Sequence, residues 1–267
     1  MKNLFASLAT TLASTLLAVS WACPAQAASV PEAKPTIVLV HGAFADSSSW
    51  NGVVPILVHD GYDVIAAANP LRSVKGDAAY VHALLANIRG PVVLVGHSYG
   101  GMVISNAAIG ASNVKALVYV AAFAPEPGED AGTLDNKFPG SLLGGALQPP
   151  VAIPGGGHDL YVQQDKFHDA FAPDLPVGPA RVAGTTQRPI TDIAFGEKSA
   201  SAAWKTIPSW FVYGDGDTAI PPKALGWMAE RAHARETVVV KGASHIVMVT
   251  HAKEVVKVIE DAAATVR

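Results

Sequence analysis

Apolar residues in this chain fall into short continuous runs, separated by longer stretches where they recur every three or four positions. The runs are Thr36–Val40, Asp63–Ala67, Pro91–Val95, Lys115–Ala121, Ser209–Tyr213 and Glu236–Val240, all rich in Val, Ile or Leu. A strand that is apolar on both faces belongs in a parallel sheet covered by helices, because neither face meets water. The intervening segments predict helices at Trp50–His59, Gly76–Ile88, Tyr99–Gly110, Pro222–His233 and His251–Ala264. Strand and helix alternating in this order predict a doubly wound α/β domain of about six mainly parallel strands, with helices on both faces.

One stretch breaks the alternation. Between Ala121 and Ser209 the chain is dense in proline and carries the run Gly155-Gly156-Gly157. A loop of that length without structure of its own is uncommon. It predicts an inserted cap over about residues 125–205, with short helices around Asp159–Phe171 and Val177–Thr186.

The first residues have a different character. Met1-Lys2 precedes an apolar, Ala/Leu-rich segment from Leu4 to Trp21, and Ala25-Gln26-Ala27 follows. A cationic start, a short apolar segment and an A-x-A site predict a signal peptide over residues 1–27, cleaved after Ala27. Ser7, Thr10, Thr11, Ser14 and Thr15 interrupt that segment, which makes it a poor membrane anchor. The mature chain, residues 28–267, is then expected as one exported domain, periplasmic or secreted, without a membrane span. Cleavage removes Cys23, the single cysteine, so the hydrophobic core alone must hold the fold.

Charge narrows the partners. The formal net charge is −3 and no block of basic residues occurs, which argues against nucleic acid as a partner. The chain lacks H-E-x-x-H, a cysteine cluster, an acidic calcium loop, and a G-x-G-x-x-G after the first strand. Neither a metal nor a dinucleotide cofactor is expected.

The chemistry is carried by Gly96-His97-Ser98-Tyr99-Gly100, directly after the apolar run ending at Val95. A buried strand that breaks around a serine and resumes as helix is the context a G-x-S-x-G nucleophile elbow requires. Ser98 is then the candidate nucleophile. A serine hydroxyl needs a base, and the base needs an orienting carboxylate, in the chain order Ser, acid, His. His245, in the loop after the last predicted strand, is the candidate base. His97 is expected to be structural, because adjacent side chains diverge, and His251 to start the final helix. His59, His82 and His233 fall on predicted helices and His158 and His168 in the cap, where packing or surface roles are expected. Two aspartates follow the Ser209–Tyr213 run. Asp217 is favoured as the acid, and Asp215 is the reserve, with a turn as its other role. The amides of Ala43 and Tyr99 are the expected oxyanion donors. Phe44, Phe123, Tyr161 and Phe167 are candidates to line a substrate pocket, with Phe138, Leu142, Leu143, Phe171 and Trp204 as further possibilities.

These segments, with Val38-Leu39-Val40-His41-Gly42-Ala43-Phe44, Gly242-Ala243-Ser244-His245 and Thr186-Gln187-Arg188-Pro189, resemble the α/β-hydrolase superfamily. The resemblance is to the branch holding small bacterial esterases, plant methylesterases and hydroxynitrile lyases. It implies carboxylic-ester hydrolysis through an acyl-enzyme, acting on a small-molecule ester without a cofactor. Plant lyases of the branch carry threonine and lysine where this chain has Gly42 and Ile246, so the resemblance favours an esterase over a lyase. A hydrolase-fold receptor with negligible turnover is the reading from another class.

Overall fold

The computed structural model describes residues 34–266; the expected signal segment, residues 1–27, lies outside them. Six strands, β1 (Thr36–Val40), β2 (Val64–Ala67), β3 (Val92–His97), β4 (Val114–Val120), β8 (Ser209–Gly214) and β9 (Glu236–Val240), form one sheet. All its pairings are parallel, in the order β2-β1-β3-β4-β8-β9. The four inner strands are buried almost throughout, as their continuous apolar runs require. The edge strand β9 instead alternates between exposed and less exposed positions.

Strand order reverses between β1 and β3, and such a switch point opens a crevice at the carboxyl ends of the strands. The loops after β1 and β3 therefore meet there. Their closeness is set by Gly100, at the start of α3 (Gly100–Ala107): a Cβ on it would lie 2.5 Å from the Val40 carbonyl oxygen. The remaining helices of the main layer are α1 (Val54–His59), α2 (Val74–Ala86), α9 (Pro222–Arg231), α10 (Val247–Thr250) and α11 (Ala252–Ala264).

Two helix expectations need correction. The predicted helix Trp50–His59 is a 3-10 turn at Ser47–Trp50 followed by α1. Pro55 sits in the first turn of α1, where its missing N–H costs nothing and its fixed φ favours a helix start rather than a continuation. In the cap, the predicted helix around Asp159–Phe171 begins as strand and is helical only at its end. β6 (His158–Leu160) pairs antiparallel with β5 (Val151–Ala152) and β7 (Ile190–Thr191), and only α6 (Phe167–Phe171) is helical. The turn between β5 and β6 holds Gly155, Gly156 and Gly157, all at positive φ. The rest of the cap comprises α4 (Ala131–Asp135), α5 (Leu143–Ala146), α7 (Val177–Thr186) and α8 (Asp192–Gly196). Gln187 fastens it: its amide group accepts from the Val162 N–H at 2.8 Å and donates to the Val162 carbonyl at 2.9 Å.

Candidate active site

Ser98 stands between β3 and α3 with φ at 53°, the left-handed region that L-residues other than Asn, Asp and His seldom occupy. Strain of this kind persists only where surrounding contacts over-determine it. Here the Ser98 N–H donates to Val120, and its carbonyl accepts from Gly101 and Phe123, at 2.9–3.2 Å. The side chain is turned toward His245, whose Nε2 lies 2.9 Å from Ser98 Oγ. His245 Nδ1 lies 2.8 Å from Asp217 Oδ2. The imidazole is 1 % exposed and Asp217 is 4 % exposed, so the pair works out of water. Three residues far apart in sequence thus form one hydrogen-bonded line.

The two aspartates of the Gly214–Asp217 turn are separated by their surroundings. Asp217 Oδ1 accepts the amides of Ala219 and Ile220, which fixes the carboxylate before it reaches the histidine. Asp215 is exposed and its carboxylate accepts the Gly242 amide instead. It shapes the turn and does not meet His245.

The amides of Ala43 and Tyr99 face no protein acceptor among the described residues. Tyr99 opens α3, where unpaired amides and the helix dipole favour negative charge. Its side chain runs the other way, donating to buried Asp77 Oδ2 at 2.9 Å. Burial raises the Tyr99 phenol and the Asp77 carboxyl above their ordinary ranges. Beside Ala43, Gly42 is required by space. A Cβ there would lie 2.6 Å from Ser98 Cβ and 2.8 Å from the His97 carbonyl oxygen.

A mainly apolar cavity of about 380 Å³ reaches the site through Phe171 and Ile246, neighbours of His245. Phe44, Phe167, Leu175 and Val249 also wall it, Asp46 and Ser48 lie at its polar side, and Ser98, His245 and Asp217 do not line it. Phe171 links wall and site: its ring packs edge-on to His245 at 4.8 Å and lies 6.0 Å from Phe44. Of the sequence candidates for the pocket, Phe44, Phe167 and Phe171 line this cavity. Phe123 and Tyr161 do not: Phe123 is packed behind the elbow, with its amide on the Ser98 carbonyl. Tyr161 belongs to the cap, where its carbonyl accepts from Gln148. Trp204 is likewise away from the cavity, its indole N–H bound to the Pro125 carbonyl.

Of the residues that hold the line in place, sequence reasoning assigned His97 a structural role without its partner and did not single out Asp174. His97 donates from Nε2 to the main-chain carbonyl of His245 at 3.0 Å. Full burial drives its pKa well below that of an ordinary imidazole, and burial lowers that of His41 as well. In the cap, Asp174 Oδ2 accepts the Ser244 amide and the Thr250 hydroxyl, one on each side of His245 in sequence. No local pattern announces these contacts, because each joins segments remote in sequence.

A sequence profile of the alpha/beta hydrolase family matches residues 37–258. The chain belongs to that family. Among curated alpha/beta hydrolase relatives, it is 25% identical to an alpha-hydroxynitrile lyase of Arabidopsis thaliana over 82% of this chain and 93% of the relative. Polyneuridine aldehyde esterase of Rauvolfia serpentina is 23% identical over 84% of this chain and 94% of its own. The alpha/beta hydrolase fold is shared with the solved structure of a polyneuridine aldehyde esterase, at a TM-score of 0.74 and 21% identity, covering 85% and 98% of the two chains. A pyrethroid hydrolase from Sphingobium faniae JZ-2 aligns at a TM-score of 0.69 and 23% identity, covering 86% of this chain and 97% of that one. Among the described residues, no helix is long and apolar enough to cross a membrane.

Proposed function

We propose that this alpha/beta hydrolase is a serine carboxylesterase that cleaves small esters through an acyl-enzyme. The observation that carries the reading is the unbroken hydrogen-bonded line from Asp217 through His245 to Ser98, with a mainly apolar cavity that reaches it through Phe171 and Ile246. Ser98 Oγ attacks the ester carbonyl while His245 Nε2 takes its proton. Asp217 holds the imidazole tautomer and stabilises the imidazolium that forms. Negative charge on the carbonyl oxygen is met by the Ala43 and Tyr99 amides, each worth roughly 3–4 kcal/mol in the transition state. The tetrahedral intermediate collapses, and the alcohol leaves with the proton from His245. Water, activated by the same imidazole, then releases the acid and restores Ser98.

The cavity supports uncharged, apolar acyl or alcohol groups, because phenyl and aliphatic side chains dominate its wall. The relatives named as esterases favour the same chemistry. Residues 1–27 support export of the enzyme as a further part of the proposal.

One relative is a hydroxynitrile lyase, so cyanohydrin cleavage is the second reading. Ile246, beside the histidine, lines the cavity and offers no charge to a departing cyanide. Gly42 leaves no room for a larger residue against Ser98. Both favour hydrolysis. Turnover of a short-chain p-nitrophenyl ester by the native protein, abolished in Ser98→Ala, is the test. Cyanide released from mandelonitrile without ester turnover would replace the esterase by the lyase, and neither activity would favour a binding protein.

A further inference from the structure

Asp135 ends cap helix α4 and is only 5 % exposed. Its Oδ2 lies 3.0 Å from Ser141 Oγ, which in turn lies 2.8 Å from the Ala219 carbonyl oxygen. The Leu143 amide donates to the same hydroxyl oxygen at 3.3 Å. A serine hydroxyl has one proton to give. Were Asp135 a carboxylate, Ser141 would serve either Asp135 or Ala219 and leave the other oxygen facing it unprotonated. A proton on Asp135 Oδ2 resolves the count: Asp135 donates to Ser141, and Ser141 donates to Ala219. The second carboxyl oxygen, Oδ1, is buried with no hydrogen-bond partner among the described residues. A neutral acid tolerates that far better than an anion does.

The Ala219 carbonyl belongs to the same peptide group as the Ile220 N–H, which donates to Asp217 Oδ1 at 2.9 Å. That peptide is therefore held at both ends, by the cap on its oxygen and by the acid on its nitrogen. We propose that Asp135, in its protonated form, is a positioning residue that ties the cap through Ser141 to the Asp217 loop and so steadies the Asp217–His245 pair. Its kinetic consequence rests on the esterase reading; its protonation does not. Burial is the main cause that pushes the Asp135 carboxyl up to about 6. The charged groups that bear on it are His245, which pulls it down, and Asp217, which pushes it up. As the proton leaves with rising pH, Ser141 is drawn to the new anion and Ala219 loses its donor.

Asn at this position keeps a donor at every pH, whereas Ala never has one. The experiment compares kcat for a short-chain p-nitrophenyl ester in the native enzyme, Asp135→Asn, Asp135→Ala and Ser141→Ala. At about pH 5.5, Asp135→Asn is expected within about two-fold of native and Ser141→Ala, which removes the donor to Ala219, lower by roughly ten-fold in kcat and little changed in KM. Asp135→Ala, in which Ser141 still reaches Ala219 but has no partner to hold it, falls between them. At about pH 8, Asp135→Asn is expected to equal or exceed the native enzyme. An Asp135→Asn variant as impaired as Ser141→Ala, or a Ser141→Ala variant as active as native, overturns the proposal. A second measurement needs neither turnover nor a folded Ala variant: ¹³C NMR of labelled aspartate carboxyls, assigned by loss of one signal in Asp135→Asn. A midpoint above about 5 supports the proton, and an ordinary midpoint near about 3.9 refutes it. Absence of ester turnover and of Ser98 labelling by a phosphonate in the native protein would sink the esterase reading while leaving the NMR result to decide Asp135.

Discussion

His97 donates from Nε2 to the main-chain carbonyl of His245, joining the residue before Ser98 to the backbone of the histidine that Ser98 contacts, at 3.0 Å. The two rings also pack with centroids 4.8 Å apart. An imidazole with a strongly depressed pKa stays neutral, so this is a fixed donor rather than a charge. Replacing His97 by Leu leaves a buried carbonyl unpaired, at a cost of about 1–3 kcal/mol. His97→Gln restores an amide donor near the Nε2 position. The expected order of thermal stability and of kcat is native, then Gln, then Leu. Equal values for Gln and Leu would show that packing alone matters there.

Gly42 has its reason in the 2.6 Å separation between a hypothetical Cβ and Ser98 Cβ. The obstacle includes the His97 carbonyl, which belongs to the backbone and has little freedom to yield. Gly42→Ala is expected to destabilise by about 1–3 kcal/mol through overpacking. It is also expected to lower kcat by displacing Ser98 or the Ala43 amide. Urea unfolding and steady-state kinetics on one preparation check both effects, and a variant with native values in each would contradict the close approach.

The choice between the two aspartates is equally direct. Asp217→Asn is expected to lower kcat by roughly 10⁴-fold, because the amide favours the wrong imidazole tautomer. Asp215→Asn is expected to keep most activity and to cost no more than about 1 kcal/mol of stability, since it weakens one exposed turn contact. An inactive Asp215→Asn beside an active Asp217→Asn would reverse the assignment.

Acid affects stability through groups with opposite signs. His41 and His97 have folded-state pKa values below the unfolded value of 6.5, so the unfolded chain binds more protons as pH falls below it. Their contribution is complete above pH 6.5 and declines below it. Asp135 acts in reverse: its folded value of about 6 exceeds the unfolded 3.8, so its contribution is complete below 3.8 and is lost as pH rises through 6. That window corresponds to something on the order of 3 kcal/mol. Stability of Asp135→Asn relative to native should therefore rise between about pH 4 and pH 7, measured by urea unfolding at each pH. A difference independent of pH would remove Asp135 from the balance.

Much of this molecule is legible in its sequence because the relevant signals are local. The inner strands announce themselves by unbroken apolar runs, and the elbow by glycines around Ser98 at a strand end. His245 and Asp217 follow from chain order and from the ends of the strands they succeed. The cap is less legible. β6 contributes three residues to a small sheet whose partners lie at Val151–Ala152 and Ile190–Thr191, and pairing at that distance leaves no periodicity to read. Asp135 and Asp174 escape for the same reason, and His97, expected to be structural, has a partner no local pattern names: each acquires its contact from what the fold sets against it. Phe123 and Tyr161 show the converse, since an aromatic in a plausible segment says nothing about the direction it faces.

The central claim is that His245 makes Ser98 a nucleophile, and covalent labelling tests it without knowledge of the natural ester. A fluorophosphonate is expected to add one phosphonyl group per chain, located on Ser98 by peptide mass spectrometry. Its rate of addition should fall by roughly three orders of magnitude or more in His245→Ala. Labelling at another residue, or a rate on Ser98 unaffected by loss of His245, would contradict the account.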